Sequence, residues 1–334
     1  MTTADIHEVR RQIVTTVREF VQKDVVPQAA EHDENDTYPT ELVEQMAEMG
    51  LFGITIPEEY GGMGLDYTTY AMVFEELCKG WMSITAPIGT HSILTAAIVN
   101  YGTEEQKREW LPKLASGEKR GGLALTEPGG GSDVASLQTT AVRDGEEYVV
   151  NGNKLFITNG RTGDVYLLLA KTDTDIDPQH RGISAFIAEK GPGFTAGRDL
   201  NKLGYRGVDT SELIFQDYRV SADLLVGGEE GKGFYHVMDA LETGRINIAA
   251  RAVGVATGAF ELAIKYAQER ETFGKKIAER QTIQNMLADM ATKIHAARLM
   301  TYDAAAKKDS GARIDLEAGM AKLYASEICA EVTM

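Results

Sequence analysis

Hydrophobic positions recur at intervals of three and four along the first 120 residues, so Ala4 to Lys119 reads as helical. Ile6, Val9, Ile13, Val17 and Phe20 mark one buried face of an amphipathic helix, with Pro27 near its end. Thr40 ahead of Glu41-Leu42-Val43-Glu44 reads as a helix N-cap, and Leu42, Met46 and Leu51 form the apolar stripe. The stretch Pro57-Glu58-Glu59-Tyr60-Gly61-Gly62-Met63-Gly64 breaks the pattern with a turn-rich loop. Tyr67 to Lys79, Ile84 to Asn100 and Thr103 to Ala115 predict further helices, the last opened by a capping box of Thr103 and Gln106.

From Gly121 the period changes to two. Thr140-Ala141-Val142, Tyr148-Val149-Val150 and Leu155-Phe156-Ile157 predict three strands, with turns at Asp144-Gly145 and Asn151-Gly152. Val165 to Ala170, Ile183 to Ala188 and Glu212 to Phe215 add more. After the glycine hinge Gly227 to Gly233 the helical period returns. Phe234, Val237, Met238 and Leu241 form a stripe, and Ala249, Ala250, Ala252, Ala256 and Ala259 would let a neighbouring helix approach closely. A second helix is expected over about Arg280 to Asp309 and a third from about Asp315. The fold class is α+β, divided at 1–120, 121–230 and 231–334.

Composition changes this picture little. The 334 residues are 43% hydrophobic and 25% charged, as in ordinary globular proteins, and no apolar run is as long as a membrane span. Met1 leads into a polar helical segment without a leader-like pattern, so a cytoplasmic location is expected. Cys78 and Cys329 form no CxxC and read as core thiols. The six histidines fall at no metal-binding spacing. A net charge of −16 argues against a nucleic-acid partner, and an anionic ligand would need locally concentrated basic groups.

Two runs carry the candidate chemistry. Leu123-Ala124-Leu125-Thr126-Glu127-Pro128-Gly129-Gly130-Gly131-Ser132-Asp133 ends an apolar strand in a threonine, a proline corner and glycines that let backbone N–H groups approach a flat or anionic ligand. In Lys154-Leu155-Phe156-Ile157-Thr158-Asn159-Gly160, Phe156 and Thr158 point to one strand face, where one can stack on a ring and the other hydrogen-bond it. The plain alternatives are a simple turn and a core phenylalanine. A dinucleotide-binding βαβ unit is excluded, because Gly129 to Gly131 lead into further strands. Gly227 to Gly233 is no P-loop, since Gly233 follows Lys232.

Together with Glu242-Thr243-Gly244-Arg245 and Glu269-Arg270-Glu271-Thr272-Phe273-Gly274-Lys275, these runs resemble the acyl-CoA dehydrogenase family over essentially the whole chain. The resemblance implies an N-terminal helical domain, a β-barrel-like middle domain and a C-terminal helical bundle. It also implies FAD and the α,β-dehydrogenation of a short- or medium-chain acyl-CoA, with electrons passed to an electron-transfer flavoprotein. By the same resemblance Leu123, Leu125, Thr126, Gly131, Ser132, Phe156, Ile157 and Thr158 line the flavin, with Thr126 at its pyrimidine edge and Thr158 near N5. Most relatives carry Trp where this chain has Phe156. Arg270, Phe273 and Gln281 would meet the diphosphate of a neighbouring subunit's flavin, implying a homo-oligomer, a dimer of dimers. Ser132, Glu242, Thr243, Gly244 and Arg245 fall on the acyl-CoA side, although Arg245 reads equally as a structural ion pair.

The reaction needs a carboxylate base within reach of the α-proton. Most members of the family place it downstream of the third C-terminal helix, and a minority place it where this chain has Gly244. Three arrangements remain: a base beyond Met334, which is the expectation here, a base from another chain, or a non-catalytic FAD- and CoA-binding subunit. Glu242 and Glu127 are candidates by residue type only, each read first as structural. A same-fold oxidase or flavin monooxygenase is the remaining enzymatic alternative.

Overall fold

The computed structural model describes residues 3 to 334, so the reading made at Met1 lies outside the described residues. Helices α1 (Thr3–Phe20), α2 (Val26–Asn35), α3 (Thr40–Glu48), α4 (Tyr67–Gly80), α5 (Ala86–Tyr101) and α6 (Glu104–Ala115) precede strands β1 (Gly121–Ala124), β2 (Thr140–Asp144), β3 (Glu147–Thr158), β4 (Val165–Lys171), β5 (Ile183–Glu189), β6 (Phe194–Asp199) and β7 (Thr210–Ser221). Helix α7 (Gly233–Glu269), a hairpin of β8 (Glu271–Thr272) and β9 (Lys275–Lys276), α8 (Gln281–Asp309) and α9 (Asp315–Thr333) follow. The α+β class is borne out.

Four local expectations are corrected. Pro27 does not end the first helix: a π-helical segment, Val21–Val25, carries the chain into α2, and Val26 N–H bonds to Val21 O five residues back. This wider turn is where the ladder loses the proline donor. Thr40 is the first residue of α3 rather than its cap; Pro39 holds the N-cap position and no side chain caps the helix. Leu51 lies past the end of α3 in a 3-10 turn, yet is buried. Asn151-Gly152 is no turn either, because β3 runs straight through it with a break in register against β7. Gly152 is required there: its φ is +150°, and a Cβ would lie 2.5 Å from Thr139 Oγ1. The Asp144-Gly145 turn and the Thr103–Gln106 capping box form as expected.

The residues group into two compact units. The first comprises the chain up to Glu31, Asp66–Thr85 and Arg245–Met334. Its organising element is α4, whose Glu75 and Glu76 are buried but answered. Arg298 Nε and Tyr302 Oη donate to Glu75 at 2.9 and 2.6 Å, while Arg18 and Lys79 pair with Glu76, each at 2.8 Å. Asp66 caps α4 through Thr69 N–H, and Asp309 accepts from the N–H groups of Tyr67 and Thr68. The alanine face of α7 is buried at Ala249, Ala250, Ala252 and Ala256. Close approach to α4 is real: a Cβ on Gly254 would stand 2.3 Å from Glu75 O.

The second unit comprises His32–Leu65 and Ala86–Gly244. Its sheet is ordered β1-β4-β2-β3-β7-β6, with β5 also on β4. Strands β1 and β2 run parallel to β4; the other pairs are antiparallel. Every residue of β4 is buried, which explains its apolar run from Val165 to Ala170; Lys171 closes the strand with its Nζ on Gln179 Oε1. Val165, Leu167 and Leu169 pack with Leu94, Ile98, Leu111 and Leu114 of α5 and α6. Tyr166, Leu168 and Ala170 pack on the other side with Tyr148, Phe194, Leu213 and Phe215. Two stretches, Met82–Tyr101 and Gly233–Glu269, are long and apolar enough to span a bilayer by length and composition only. Their most apolar windows are 78% and 56% buried inside the protein, so core packing accounts for that composition.

Gly254→Ala should lower the unfolding free energy by on the order of 2–3 kcal/mol, since its Cβ meets a backbone carbonyl that cannot rotate away. Thermal unfolding of the variant beside the parent measures this; an unchanged midpoint would mean that α4 and α7 are not held so closely.

Candidate functional site

In the second unit the two motif runs lie side by side. Leu155 N–H bonds to Thr126 O at 2.8 Å, joining the turn after β1 to the end of β3. The turn is closed by a bridge between Glu127 and Gly130, and the space around Gly129 is open. Leu123, Leu125, Thr126 and Thr158 are half-buried, whereas Gly131 and Ser132 are exposed. The hydroxyls of Thr126, Ser132 and Thr158 have no hydrogen-bond partner among the described residues.

Phe156 is 63% exposed, so it is not the core residue of the plain alternative. Its φ is +60°, a left-handed conformation that is uncommon for a bulky residue, and the register of β3 against β7 breaks between Lys154 and Ile157. Beyond that break exposure alternates along Phe156, Ile157 and Thr158. Ile157 is 2% exposed and belongs to the core, so only its main chain is available to a ligand.

A residue quoted in the motif but given no role proves central. Lys154 is fully buried; its Nζ donates to Glu127 Oε1 at 2.7 Å and to Leu125 O at 3.2 Å. Glu127 also accepts from Thr139 N–H, Thr139 Oγ1 and Gln138 N–H, at 3.0, 2.6 and 2.5 Å. Burial pushes the Lys154 ammonium down from its ordinary 10.5 to about 8, against the opposing pull of Glu127. Burial acts to raise the Glu127 carboxyl, but Lys154 and the three donors outweigh it, and the group titrates below its ordinary range. The structural reading of Glu127 therefore has a concrete form, an ion pair with Lys154. Nothing in hydrophobic periodicity links two charges 27 positions apart.

Helix α5 supports β1 from behind. Thr90 Oγ1 accepts from Leu123 N–H and His91 Nδ1 from Gly121 N–H, both at 3.1 Å. Burial lowers His91 to about 4, consistent with a neutral ring whose Nδ1 accepts. Asn159, also left-handed at φ +60°, donates to Pro87 O and Gly121 O and fixes the chain after Thr158. Of the expected substrate-side residues in this unit, Thr243 is fully buried, while Glu242 and Gly244 are half-buried. A Cβ on Gly244 would approach Ile93 Cδ1 at 3.3 Å.

The remaining candidates belong to the first unit. Arg245 is half-buried and acts electrostatically on Asp315. Arg270 is exposed at the foot of the β8–β9 hairpin, and its guanidinium has no hydrogen-bond or ion-pair partner among the described residues. Phe273 turns the hairpin at φ +53° with Gly274 at +75°, and its ring is 98% exposed with the Arg280 guanidinium 5.9 Å from its centroid. Lys275, Lys276 and Gln281 are exposed nearby in sequence. Arg270, Lys275, Lys276 and Arg280 alternate here with Glu269, Glu271 and Glu279, so the segment is nearly neutral in a chain of net charge −16. An exposed aromatic ring beside free hydroxyls fits a flat hydrogen-bonding ring system, and an unpartnered guanidinium fits a diphosphate.

Comparison with known proteins identifies one family along the chain. Family models described as acyl-CoA dehydrogenase N-terminal, middle and C-terminal domains match residues 7–118, 122–218 and 231–334. A (2S)-methylsuccinyl-CoA dehydrogenase of Cereibacter sphaeroides is 45% identical over 322 residues, covering 93% of this chain and 58% of its own length. A short-chain specific acyl-CoA dehydrogenase of Clostridium acetobutylicum is 44% identical, covering 95% of this chain and 83% of its own. The solved butyryl-CoA dehydrogenase of Megasphaera elsdenii superposes with a TM-score of 0.94 at 38% identity, over 99% of this chain and 87% of that one.

The buried pair predicts a pH effect. Because Lys154 titrates at about 8 when folded and 10.5 when exposed, the unfolded chain binds more protons between these values, and stability from this group rises with pH there. The parent should gain unfolding free energy relative to Lys154→Met as the pH goes from about 8 to about 10.5, by on the order of 3 kcal/mol at most. Denaturant unfolding at several pH values checks this; a constant difference between the two proteins would refute it.

Proposed function

Because the chain belongs to the acyl-CoA dehydrogenase family, a family of FAD-dependent oxidoreductases acting on CH–CH bonds, we propose that it serves the α,β-dehydrogenation of a short- or medium-chain acyl-CoA thioester. Electron-transfer flavoprotein is the proposed acceptor, and a cytoplasmic homo-oligomer, a dimer of dimers, is the proposed assembly. The observation that carries this reading is the exposed, left-handed Phe156 set beside the free hydroxyl of Thr158 and joined to the Thr126 turn. The division at 120 and 230 belongs to the same reading, supported by the spans of the three family models.

In this proposal the Phe156 ring lies against the isoalloxazine, while Leu123, Leu125 and the Ile157 main chain line it. Thr126 bonds its pyrimidine edge, and Thr158 donates a hydrogen bond near N5. FAD, when bound, accepts the β-hydrogen as hydride. Gly131 leaves room for the ligand, and Ser132 reaches toward the CoA moiety. Arg270 holds a diphosphate, supported by Phe273 and Gln281, in the flavin of a second copy of this chain. Glu242, Gly244 and Arg245 bear on the thioester side; Thr243 is interior and shapes the helix there. No residue is assigned as the base.

Protein reconstituted with FAD should show an oxidised flavin spectrum, and a chain that includes the base should bleach anaerobically with butyryl-CoA. Arg270→Ala should weaken FAD retention about tenfold or more, as for loss of a charge-assisted hydrogen bond. Thr158→Ala should slow bleaching by about tenfold to a hundredfold with the fold intact. A protein that cannot take up FAD would overturn the reading, and direct rapid reoxidation by O₂ would point to an oxidase instead.

A further inference from the structure

Three segments meet at one buried ammonium. Lys154 belongs to β3, two residues before the left-handed Phe156; Leu125 and Glu127 belong to the turn after β1; Gln138 and Thr139 lead into β2. The Lys154 side chain is wholly inside and its hydrogen bonds end on Leu125 O and Glu127 Oε1. Glu127 in turn gathers Gln138 N–H and both donors of Thr139. Register breaks immediately beyond Lys154, where an inward lysine and an inward Ile157 are three positions apart rather than two or four. One residue must therefore be left out of the alternation, and the irregularity swings Phe156 to the surface. The same clamp keeps Leu155 N–H on Thr126 O, so Thr126 and Phe156 are fixed by a single polar centre.

We propose that Lys154 and Glu127 are positioning residues, a buried latch whose geometry sets the orientation of Phe156 and the Thr126 turn toward the bound flavin. The inference rests on the flavin reading above and adds to it the device that preorganises the site. Charged groups are placed here although the site is buried, and their role is directional: an apolar pair of the same size could fill the volume without orienting the carbonyl of Leu125 or the bulge. Neither side chain touches the ligand in this scheme.

The test compares the parent with Lys154→Met/Glu127→Gln, which removes both charges, leaves no buried ion unpaired and keeps an amide oxygen to accept from Gln138 and Thr139. Lys154→Gln/Glu127→Gln, which also leaves no buried charge, carries the same comparison should the first double variant not fold. Amide hydrogen exchange is measured on the FAD-free proteins, followed by FAD affinity, visible circular dichroism of the bound flavin and the thermal midpoint. The latch predicts faster exchange at Leu155, about tenfold weaker FAD binding and altered flavin dichroism while the thermal midpoint stays near the parent's. A folded variant with unchanged FAD affinity and dichroism overturns the latch, even if its exchange is faster. A parent that takes up no FAD fails the flavin reading itself, whereas a parent that does, beside an indistinguishable variant, fails the latch alone.

Discussion

Water cannot reach the ammonium of Lys154, so the protein must supply its partners, and meeting that requirement organises the ligand-facing end of the sheet. Removing one member of such a pair from the interior costs about 3–5 kcal/mol, far more than an exposed pair contributes. Glu127 answers the charge, three further donors answer Glu127, and the strand carrying Lys154 is obliged to bulge. The exposed ring of Phe156 is a consequence of that interior constraint. Backbone strain at φ +60° is tolerated because hydrogen bonds on both sides hold the segment.

The first unit uses the same principle for a different end. Helix α4 carries Glu75 and Glu76 on buried positions; Arg298 and Tyr302 of α8 meet the first, and Arg18 of α1 with Lys79 of α4 itself meets the second. Small residues on α7 then allow the backbone to come close to α4, as the Gly254 contact shows. Polar pairs specify which helices meet, and the absence of bulk sets how near they come. Hydrophobic burial stabilises both units, but it does not by itself choose among similar packings.

Distribution of charge matters more than its total. An acidic chain repels an anionic ligand at long range, and that repulsion is screened within roughly 10 Å in physiological salt. What acts at short range is the local arrangement of single groups such as Arg270, which itself lies between Glu269 and Glu271.

The sequence by itself determined the class and order of elements, because periods of three to four and of two are imposed by the geometry of helix and strand wherever one face is buried. Alternation from Thr140 onward, the capping box at Thr103 and the helices from Gly233 onward were all legible for that reason. Glycine runs and the Phe156–Thr158 spacing marked the candidate site through local chemistry, and those residues do lie on adjoining segments. Other features depended on partners distant in the chain. Asn151-Gly152 has turn composition, yet Thr139 packs against the glycine and β7 pairs alongside, so the strand continues. Pro27 looks like a stop, yet a single wide turn absorbs its missing donor. Whether Phe156 faced the core or the solvent was undecidable from alternation alone, since one residue of slip reverses every side chain. Only the tertiary structure, by burying Lys154 against Glu127, determined which way it points.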